Sequence, residues 1–294
     1  MKVGFVSLGI MGKPMVKNIV KNGYEVIVFD FNQSAIDEVV SAGAHAAESG
    51  AKVAEVAEVI ITMLPNSPNV EAALFNPGGI AEGLSAGKTV IDMSSIAPKA
   101  SQDFAARLKE QGVHFIDAPV SGGEPKAIDG TIAVMVGGEK AVFEKYEALL
   151  NTMASSVTRV GEVGAGNITK LANQMIVAIN IAAISEAYCL AKKAGVSPEA
   201  VYQAIRTGLA GSTVMDQKSE KIFSGNFDPG FRIELHIKDL QNALDTSHDS
   251  NVSTPFTASA MEIMQSLKAY GLEKSDHSAI ANYYETINDL KLQG

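Results

Sequence analysis

The sequence has little of what holds small extracellular folds together. It contains one cysteine, Cys189, and no tryptophan, and aromatic residues make up 6% of its 294 positions. A single cysteine excludes an intrachain disulfide and a cysteine-rich metal site, and it is typical of a reducing compartment. Because Cys189 lies in the helical pattern EAYCLAKKAG, we predict an inert, buried thiol.

Positive charge and long apolar runs are also scarce. The chain carries 24 Lys and Arg against 33 Asp and Glu, a net charge of −9. Nucleic acids and anionic membranes are bound through clustered Lys and Arg, so neither partner is predicted. The longest uncharged stretch within a predicted helix, 171–185, is shorter than the roughly 20 apolar residues of a spanning helix. With no convincing targeting segment at the start, we expect a cytoplasmic protein.

The first half of the chain alternates between two patterns. Short apolar runs such as KVGFVSL, EVIVFD and VIITML are separated by helical segments such as SQDFAARLKEQG. This alternation is typical of βαβ units around a parallel sheet. Later runs continue the strand pattern (TVIDMS, HFIDA, TIAVMVGG and SSVTRVG).

Near 161–164 the strand pattern ends. NITKLANQMIVAINIAAISEAYCLAKKAG predicts one long helix that is apolar on most faces, and such a helix needs cover from its own domain and from another subunit. Ser197 and Pro198 mark the start of the next helix, and three more are expected after it. We therefore predict an α/β Rossmann-type domain with a parallel sheet at 1–162, an all-α domain at 163–294, and a homodimer or homotetramer.

A glycine-rich turn follows the first strand. In Ser7-Leu8-Gly9-Ile10-Met11-Gly12, Gly9 and Gly12 match the second and third glycines of the G-x-G-x-x-G dinucleotide fingerprint, and Ser7 replaces the first. The turn opens a helix, whose N-terminus favours the pyrophosphate charge. We expect Gly9, Ile10, Met11 and Gly12 to bind a dinucleotide; the alternative is a strand–helix turn that binds nothing.

Asp30 ends the second strand and indicates which dinucleotide is bound. A carboxylate at this position accepts hydrogen bonds from the ribose hydroxyls and repels a 2′-phosphate. Phe31 and Asn32 follow, so no adjacent cation receives that phosphate. The pattern favours NAD(H) over NADP(H). The alternative for Asp30 is a local role in capping the following turn.

Four segments, in order, resemble the β-hydroxyacid dehydrogenase family, which includes the 3-hydroxyisobutyrate dehydrogenases. They are GFVSLGIMGKPM, DAPVSGGEPKAIDGT, GAGNITKLANQ and HIKDLQNAL. The resemblance covers essentially the whole chain and implies an NAD-dependent enzyme acting on a short carboxylated substrate. Within the family, stretches such as ITMLPNSP and GLAGSTVMD imply reduction of tartronate semialdehyde to glycerate. The alternative is 3-hydroxyisobutyrate or another short β-hydroxyacid.

The resemblance implies that Lys170 is the catalytic acid and base. Carbonyl reduction needs a proton for the developing alkoxide, which a buried lysine near a helix N-terminus is suited to donate. Asn173 lies three residues further and shares its helix face, so it is expected to position substrate or lysine. Taken alone, Lys170 would instead be read as an exposed lysine near a helix end.

Ser121, Gly122 and Gly123 are expected to hold the substrate carboxylate. Successive glycines let backbone amides converge on an anion, although a plain turn fits the same residues. By resemblance, Ser95 and the Leu64–Pro65 loop border the cofactor and Lys238 reaches it. The alternative for Lys238 is an ordinary exposed charge pair with Asp239 on the same helix. Lys126, Asp129 and Asp239 receive no role.

The sequence also bears on metal binding and on a role without catalysis. The five histidines are scattered and indicate no metal site. A dinucleotide-binding protein without turnover would keep Gly9, Gly12 and Asp30 but would not need Lys170 or the Ser121 loop. Their presence therefore favours an enzyme.

Overall fold

The computed structural model describes residues 1–293 and divides into two compact units, Met1–Lys170 and a second that begins at Leu171. The division lies inside a long helix whose first turns belong to the first unit. The boundary predicted from sequence, 162/163, lies just before this helix.

The first unit is built on one sheet. Its strands, within the described residues, are β1 (Lys2–Val6), β2 (Glu25–Phe29), β3 (His45–Ala46), β4 (Val59–Thr62), β5 (Thr89–Asp92), β6 (His114–Asp117), β7 (Val120–Ser121), β8 (Ile132–Gly137) and β9 (Ala154–Gly161). The order is β3-β2-β1-β4-β5-β6-β8-β7, with β9 also paired to β8. The strands from β3 to β6 run parallel, and their buried Val and Ile side chains form the two faces of the core.

Helices cover both faces of this sheet. They are α1 (Gly12–Lys21), α2 (Gln33–Val40), α3 (Gly50–Val56), α4 (Ser67–Phe75), α5 (Ile80–Gly83), α6 (Pro98–Lys109), α7 (Gly123–Asp129) and α8 (Lys140–Leu150). The Rossmann-type arrangement predicted from the alternating pattern is confirmed.

At the end of the sheet that contains β7, β8 and β9, the strands do not all run parallel as predicted. β8 pairs antiparallel with both β6 and β7, while β9 is parallel to β8. The sheet is therefore mainly rather than wholly parallel. β3 and β7 were not predicted, since two residues are too short for an alternating pattern.

The second unit is helical in the part of the chain described. It contains most of α9 (Ala165–Lys193), then α10 (Pro198–Ile205), α11 (Thr213–Ser224), α12 (Ile233–Asp249), α13 (Pro255–Ala269) and α14 (Ile280–Ile287), with a 3₁₀ turn at His277–Ala279. Ser197 caps α10 as predicted, accepting a hydrogen bond from Ala200 N. The expected number of later helices was wrong by one, because Pro255 starts a separate helix after the turn at Asn251, where φ is positive.

α9 is the only described helix long and apolar enough to cross a membrane, judged by length and composition. Its most apolar 18-residue window has a mean hydropathy of 1.5, and half of that window is buried within the protein. Central helices of globular cores share both properties.

Candidate active site

The turn after β1 takes the backbone conformation of a dinucleotide-binding loop. Ser7 has φ of 81°, in the left-handed region that favours glycine, at the position where the fingerprint has its first glycine. Its N–H donates to Phe29 O, which holds the turn against β2. The serine therefore adopts the conformation of the glycine it replaces, at a cost of about 1–2 kcal/mol.

Gly9 and Gly12 are required for different reasons. A Cβ on Gly12 would lie 2.2 Å from Ser7 O, so α1 approaches β1 this closely only without a side chain. A Cβ on Gly9 would meet no heavy atom within 4 Å. The protein itself places no steric demand on Gly9, which is exposed beside Ile10 and Met11. This open approach to the backbone fits a bound pyrophosphate.

Alanine substitutions should separate these two roles. Gly12→Ala is expected to lower stability by about 1–3 kcal/mol through overpacking. Gly9→Ala should leave the melting temperature nearly unchanged but raise the Kd for NADH about tenfold or more, because the added methyl occupies the pyrophosphate approach. Thermal unfolding and calorimetric titration measure the two effects. Normal NADH affinity in Gly9→Ala would show that the cofactor does not approach this turn.

Asp30 fixes the turn as well as facing the expected ribose position. Its Oδ2 accepts from Leu8 N at 2.6 Å, and its Oδ1 accepts from Asn32 N at 2.7 Å. The local capping role considered as an alternative is therefore present. Asp30 still follows β2 directly, at the position where the ribose-binding carboxylate of this fold lies.

A hydrogen-bond network joins the loops after β4 and β5. Ser94 Oγ accepts from Leu64 N at 2.8 Å, and Asp92 Oδ1 accepts from Thr62 Oγ1 at 2.9 Å and from Ser94 N at 3.1 Å. Burial raises the pKa of Asp92 to about 7. The network fixes the ends of both strands, and the two loops also carry an exposed Pro65 and a half-buried Ser95.

Asp117, at the end of β6, caps the helix that carries Lys170. Its Oδ1 accepts from Gly164 N and its Oδ2 from Asn167 N, both at 2.7 Å. Burial raises the pKa of this carboxyl to about 6, although the two N–H donors act in the opposite direction. A fully buried carboxylate thus satisfies amides at the start of α9 that have no partner within the helix.

Asn167 extends this attachment to the loop after β5. Its Oδ1 accepts from Ile96 N at 3.0 Å, and its Nδ2 donates to Ser101 Oγ at 3.1 Å. A Cβ on Gly166 would lie 2.5 Å from Met135 O and 2.7 Å from Asp117 O. The glycine therefore lets the first turn of α9 lie directly on the sheet, in a fixed position.

Lys170 lies in the second turn of α9 and is 6% exposed. The exposed-lysine alternative is thus wrong. Asn173 is half-buried one turn further along the same helix. The Lys170 amine is thus withdrawn from solvent near the N-terminal end of the helix.

Ser121 ends β7, and Gly122 and Gly123 lead into α7. Their φ values are 138° and 71°, and a Cβ on Gly122 would lie 2.9 Å from Lys126 Cβ. Both glycines are thus demanded by the backbone. Ser121 and Gly123 are half-buried, whereas Lys126 and Asp129 are exposed.

In the second unit, a series of side-chain hydrogen bonds and an ion pair runs through Gln174. Asn173 Nδ2 donates to Gln174 Oε1 at 2.8 Å, Gln174 Nε2 donates to Asp239 Oδ2 at 2.7 Å, and Lys238 Nζ lies 3.0 Å from Asp239 Oδ1. Lys238 is half-buried and Asp239 is 1% exposed. These hydrogen bonds orient the Asn173 amide. Lys238 and Asp239 form the charge pair that is the alternative to a cofactor-binding role, although Lys238 is half-buried rather than exposed.

Two buried histidines extend this series of contacts. His236 Nε2 lies 3.0 Å from Gln174 O, and His236 Nδ1 lies 2.9 Å from His277 Nδ1. Because a carbonyl only accepts, His236 Nε2 carries a proton. Within residues 1–293, no group of three or more His, Cys, Asp or Glu is arranged to hold a metal ion.

Sequence reasoning assigned no role to five residues of these networks (Asp117, Asn167, Gln174, His236 and His277). Asp117 and Asn167 stand within two of the family-like segments, but their pairing spans 50 residues and no local pattern reveals it. The two histidines lie 41 residues apart and were set aside as scattered.

Known proteins match this chain over nearly its whole length. Residues 2–161 match the NAD binding domain of 6-phosphogluconate dehydrogenase, and residues 164–284 match the NAD-binding domain of NADP-dependent 3-hydroxyisobutyrate dehydrogenase. The chain is 41% identical to 2-hydroxy-3-oxopropionate reductase of Escherichia coli over 292 residues, covering 99% of the chain and 100% of that protein.

Two further relatives differ in name. The chain is 38% identical to 2-(hydroxymethyl)glutarate dehydrogenase of Eubacterium barkeri, covering 100% of the chain and 98% of that enzyme. The structure superposes on Mycobacterium tuberculosis 3-hydroxyisobutyrate dehydrogenase with L-serine with a TM-score of 0.88 at 28% identity, covering 96% and 98% of the two chains. The protein belongs to the β-hydroxyacid dehydrogenase family of 3-hydroxyisobutyrate dehydrogenase-like enzymes, and it is an NAD-dependent oxidoreductase acting on a CH–OH group.

Proposed function

We propose that this enzyme reduces tartronate semialdehyde (2-hydroxy-3-oxopropanoate) to glycerate with NADH, and that Lys170 supplies the proton. The observation that carries the chemistry is the buried position of Lys170 on a helix start fixed by Asp117. The substrate is supported by the 41% identity to a reductase of that compound along the whole chain.

Bound NADH supplies hydride to the aldehyde carbon. Lys170 stabilises the negative charge that develops on the aldehyde oxygen and then donates its proton there, which gives the primary alcohol of glycerate. In the reverse direction, neutral Lys170 accepts the alcohol proton. Asn173 holds the geometry, and its amide nitrogen is already engaged by Gln174.

The Ser121–Gly123 segment is proposed to bind the substrate carboxylate. Two adjacent glycines leave the backbone amides unobstructed, and the Ser121 hydroxyl adds a donor. Ser95 and Leu64–Pro65 are proposed to border the nicotinamide end, and Lys238 to reach the cofactor.

The hydroxyacids of the named relatives share one chemical core and differ in one substituent. Glycerate, 3-hydroxyisobutyrate and 2-(hydroxymethyl)glutarate all carry a hydroxymethyl group beside a carbon that bears a carboxylate. They differ in the third substituent, which is hydroxyl, methyl or carboxyethyl. Since the second relative is nearly as similar as the first, 2-(hydroxymethyl)glutarate is the second candidate.

A direct comparison of substrates tests the proposal. Purified enzyme is assayed at 340 nm with NADH and tartronate semialdehyde, and with NAD⁺ and each of the three hydroxyacids. We expect kcat/KM for glycerate to exceed that for 3-hydroxyisobutyrate by about a hundredfold or more, because a pocket that hydrogen-bonds the hydroxyl rejects a methyl. Preference for either of the other two acids would refute tartronate semialdehyde as the substrate.

We also propose a cytoplasmic homo-oligomer. α9 has exposed apolar residues that recur every seven positions, with Ile176 61% and Leu190 72% accessible and Ala183 between them. A seven-residue apolar repeat on one helix face suits packing against a second copy of the chain. A monomer mass by light scattering would contradict this assembly.

A further inference from the structure

A single carboxylate on α2 pairs with two lysines of α1. Glu38 Oε2 lies 2.5 Å from Lys13 Nζ, and Glu38 Oε1 lies 2.7 Å from Lys17 Nζ. Hydrogen bonds from Lys13 and Lys17 lower the pKa of Glu38 to about 2, so the carboxylate stays ionised at any pH at which the enzyme works. All three side chains are between 32% and 42% accessible, so the cluster meets solvent.

The cluster borders the predicted adenosine position. Lys13 and Glu38 line a cavity of about 320 Å³ together with Gly9 of the glycine-rich turn and with Asn32 and Ser34. Asn32 is held by Asp30, the residue that faces the ribose hydroxyls in this fold. A substituent on the ribose 2′-oxygen would therefore extend toward the wall formed by Asn32, Ser34, Lys13 and Glu38.

The charged side chains of this wall determine the electrostatic interaction with a group on the ribose 2′-oxygen. Lys13 is the only cation among the residues that line the cavity, and Glu38 and Glu124 are the carboxylates. Because Glu38 already binds Lys13, a 2′-phosphate finds a neutralised lysine and an adjacent negative charge. A 2′-hydroxyl is uncharged and meets no such penalty.

We propose that Glu38 is a specificity-determining residue that excludes NADP(H) by holding Lys13 and Lys17 in ion pairs. Asp30 repels the phosphate directly, whereas Glu38 removes the cations that would otherwise attract it. Without Glu38, Lys13 is within the same cavity as Asn32 and Ser34 and is available to a phosphate. The inference rests on cofactor binding alone and does not depend on the substrate proposed above.

The test is calorimetric titration of Glu38→Gln with NADH and with NADPH, without substrate. We expect NADPH to bind about five- to tenfold more tightly and NADH to change less than twofold, as for one gained charge-assisted contact near solvent. The gain should shrink at high salt, since the lysines meet solvent. The ratio of kcat/KM for the two cofactors should shift in parallel.

Two comparisons assign the effect to this cluster. Glu144→Gln on α8 removes the same charge from a surface ion pair with Lys140, and it should leave both affinities unchanged. Adding Lys13→Met and Lys17→Met to Glu38→Gln should abolish the gain for NADPH. An unchanged NADPH-to-NADH ratio in Glu38→Gln, or an equal change in Glu144→Gln, would overturn the proposal. Because Glu38 is 40% exposed, its replacement should leave thermal unfolding nearly unaltered.

Discussion

Replacing Lys170 with alanine is expected to lower kcat by at least about a thousandfold. The variant loses both the stabilisation of the developing alkoxide and the proton donor, effects that each contribute factors of 10² or more. Lys170→Arg should be nearly as slow, because a guanidinium stays protonated and does not exchange the proton. The measurement is steady-state reduction with NADH, repeated across pH.

Cofactor binding provides the control for this prediction. NADH affinity of Lys170→Ala, measured by titration, should remain within a few-fold of the parent protein, since the glycine-rich turn is unaltered. Lys193→Ala removes an exposed lysine from the last turn of the same helix and should leave kcat unchanged. Near-normal turnover in Lys170→Ala would disprove the assigned mechanism.

Replacing Asp117 with asparagine is expected to lower kcat by about ten- to a hundredfold. One amide of α9 would then face an NH₂ group instead of a carboxylate oxygen, so the helix start and Lys170 shift from their fixed position. Small displacements of a reacting group have costs of this size. The Kd for NADH should change little, because Asp117 does not touch the glycine-rich turn.

The pH dependence distinguishes this positioning role from a general loss of stability. Burial raises the pKa of Asp117 to about 6, so below that pH the parent enzyme also carries a neutral side chain. The ratio of parent to variant kcat should therefore be largest above pH 7 and should narrow as the pH falls toward 5. A ratio that is constant with pH would argue against the role.

The same carboxyl has a defined effect on stability. Its pKa is higher in the folded state than in the unfolded chain, so the folded state binds more protons between about pH 4 and pH 6. Its contribution to the free energy of unfolding therefore decreases as the pH rises through this window, and Asp117→Asn should lack that slope. Asp92→Asn is the matched comparison, because it removes another buried carboxyl, one that lies outside the α9 cap. It should keep the contribution of Asp117 to the pH dependence of the free energy of unfolding.

Local sequence patterns were sufficient to predict the parallel strands β1 to β6 other than β3, the fingerprint glycines and the Ser197 cap. Each depends on residues that are close in sequence, such as Gly12 against Ser7. The reversed strand β8 was not foreseen, because strand direction depends on long-range pairing that alternation does not encode.

The candidate site divides in the same way. Lys170 and Asn173 could be identified as candidate site residues because they lie one helix turn apart within a segment that resembles the family. The groups that hold them could not, since Asp117 reaches α9 across about 50 residues of chain and His277 reaches His236 across 41. Asp30 shows a third case, in which the predicted ribose carboxylate also performs the turn-capping role weighed as its alternative.

The contact between His236 and His277 attaches α9 to a distant part of the sequence. Their Nδ1 atoms lie 2.9 Å apart, so only one of the two can carry the hydrogen that lies between them. His236 Nε2 lies 3.0 Å from Gln174 O, and His277 opens the 3₁₀ turn that precedes α14. The backbone next to Asn173 is therefore tied through two imidazole rings to the last helix of the second unit.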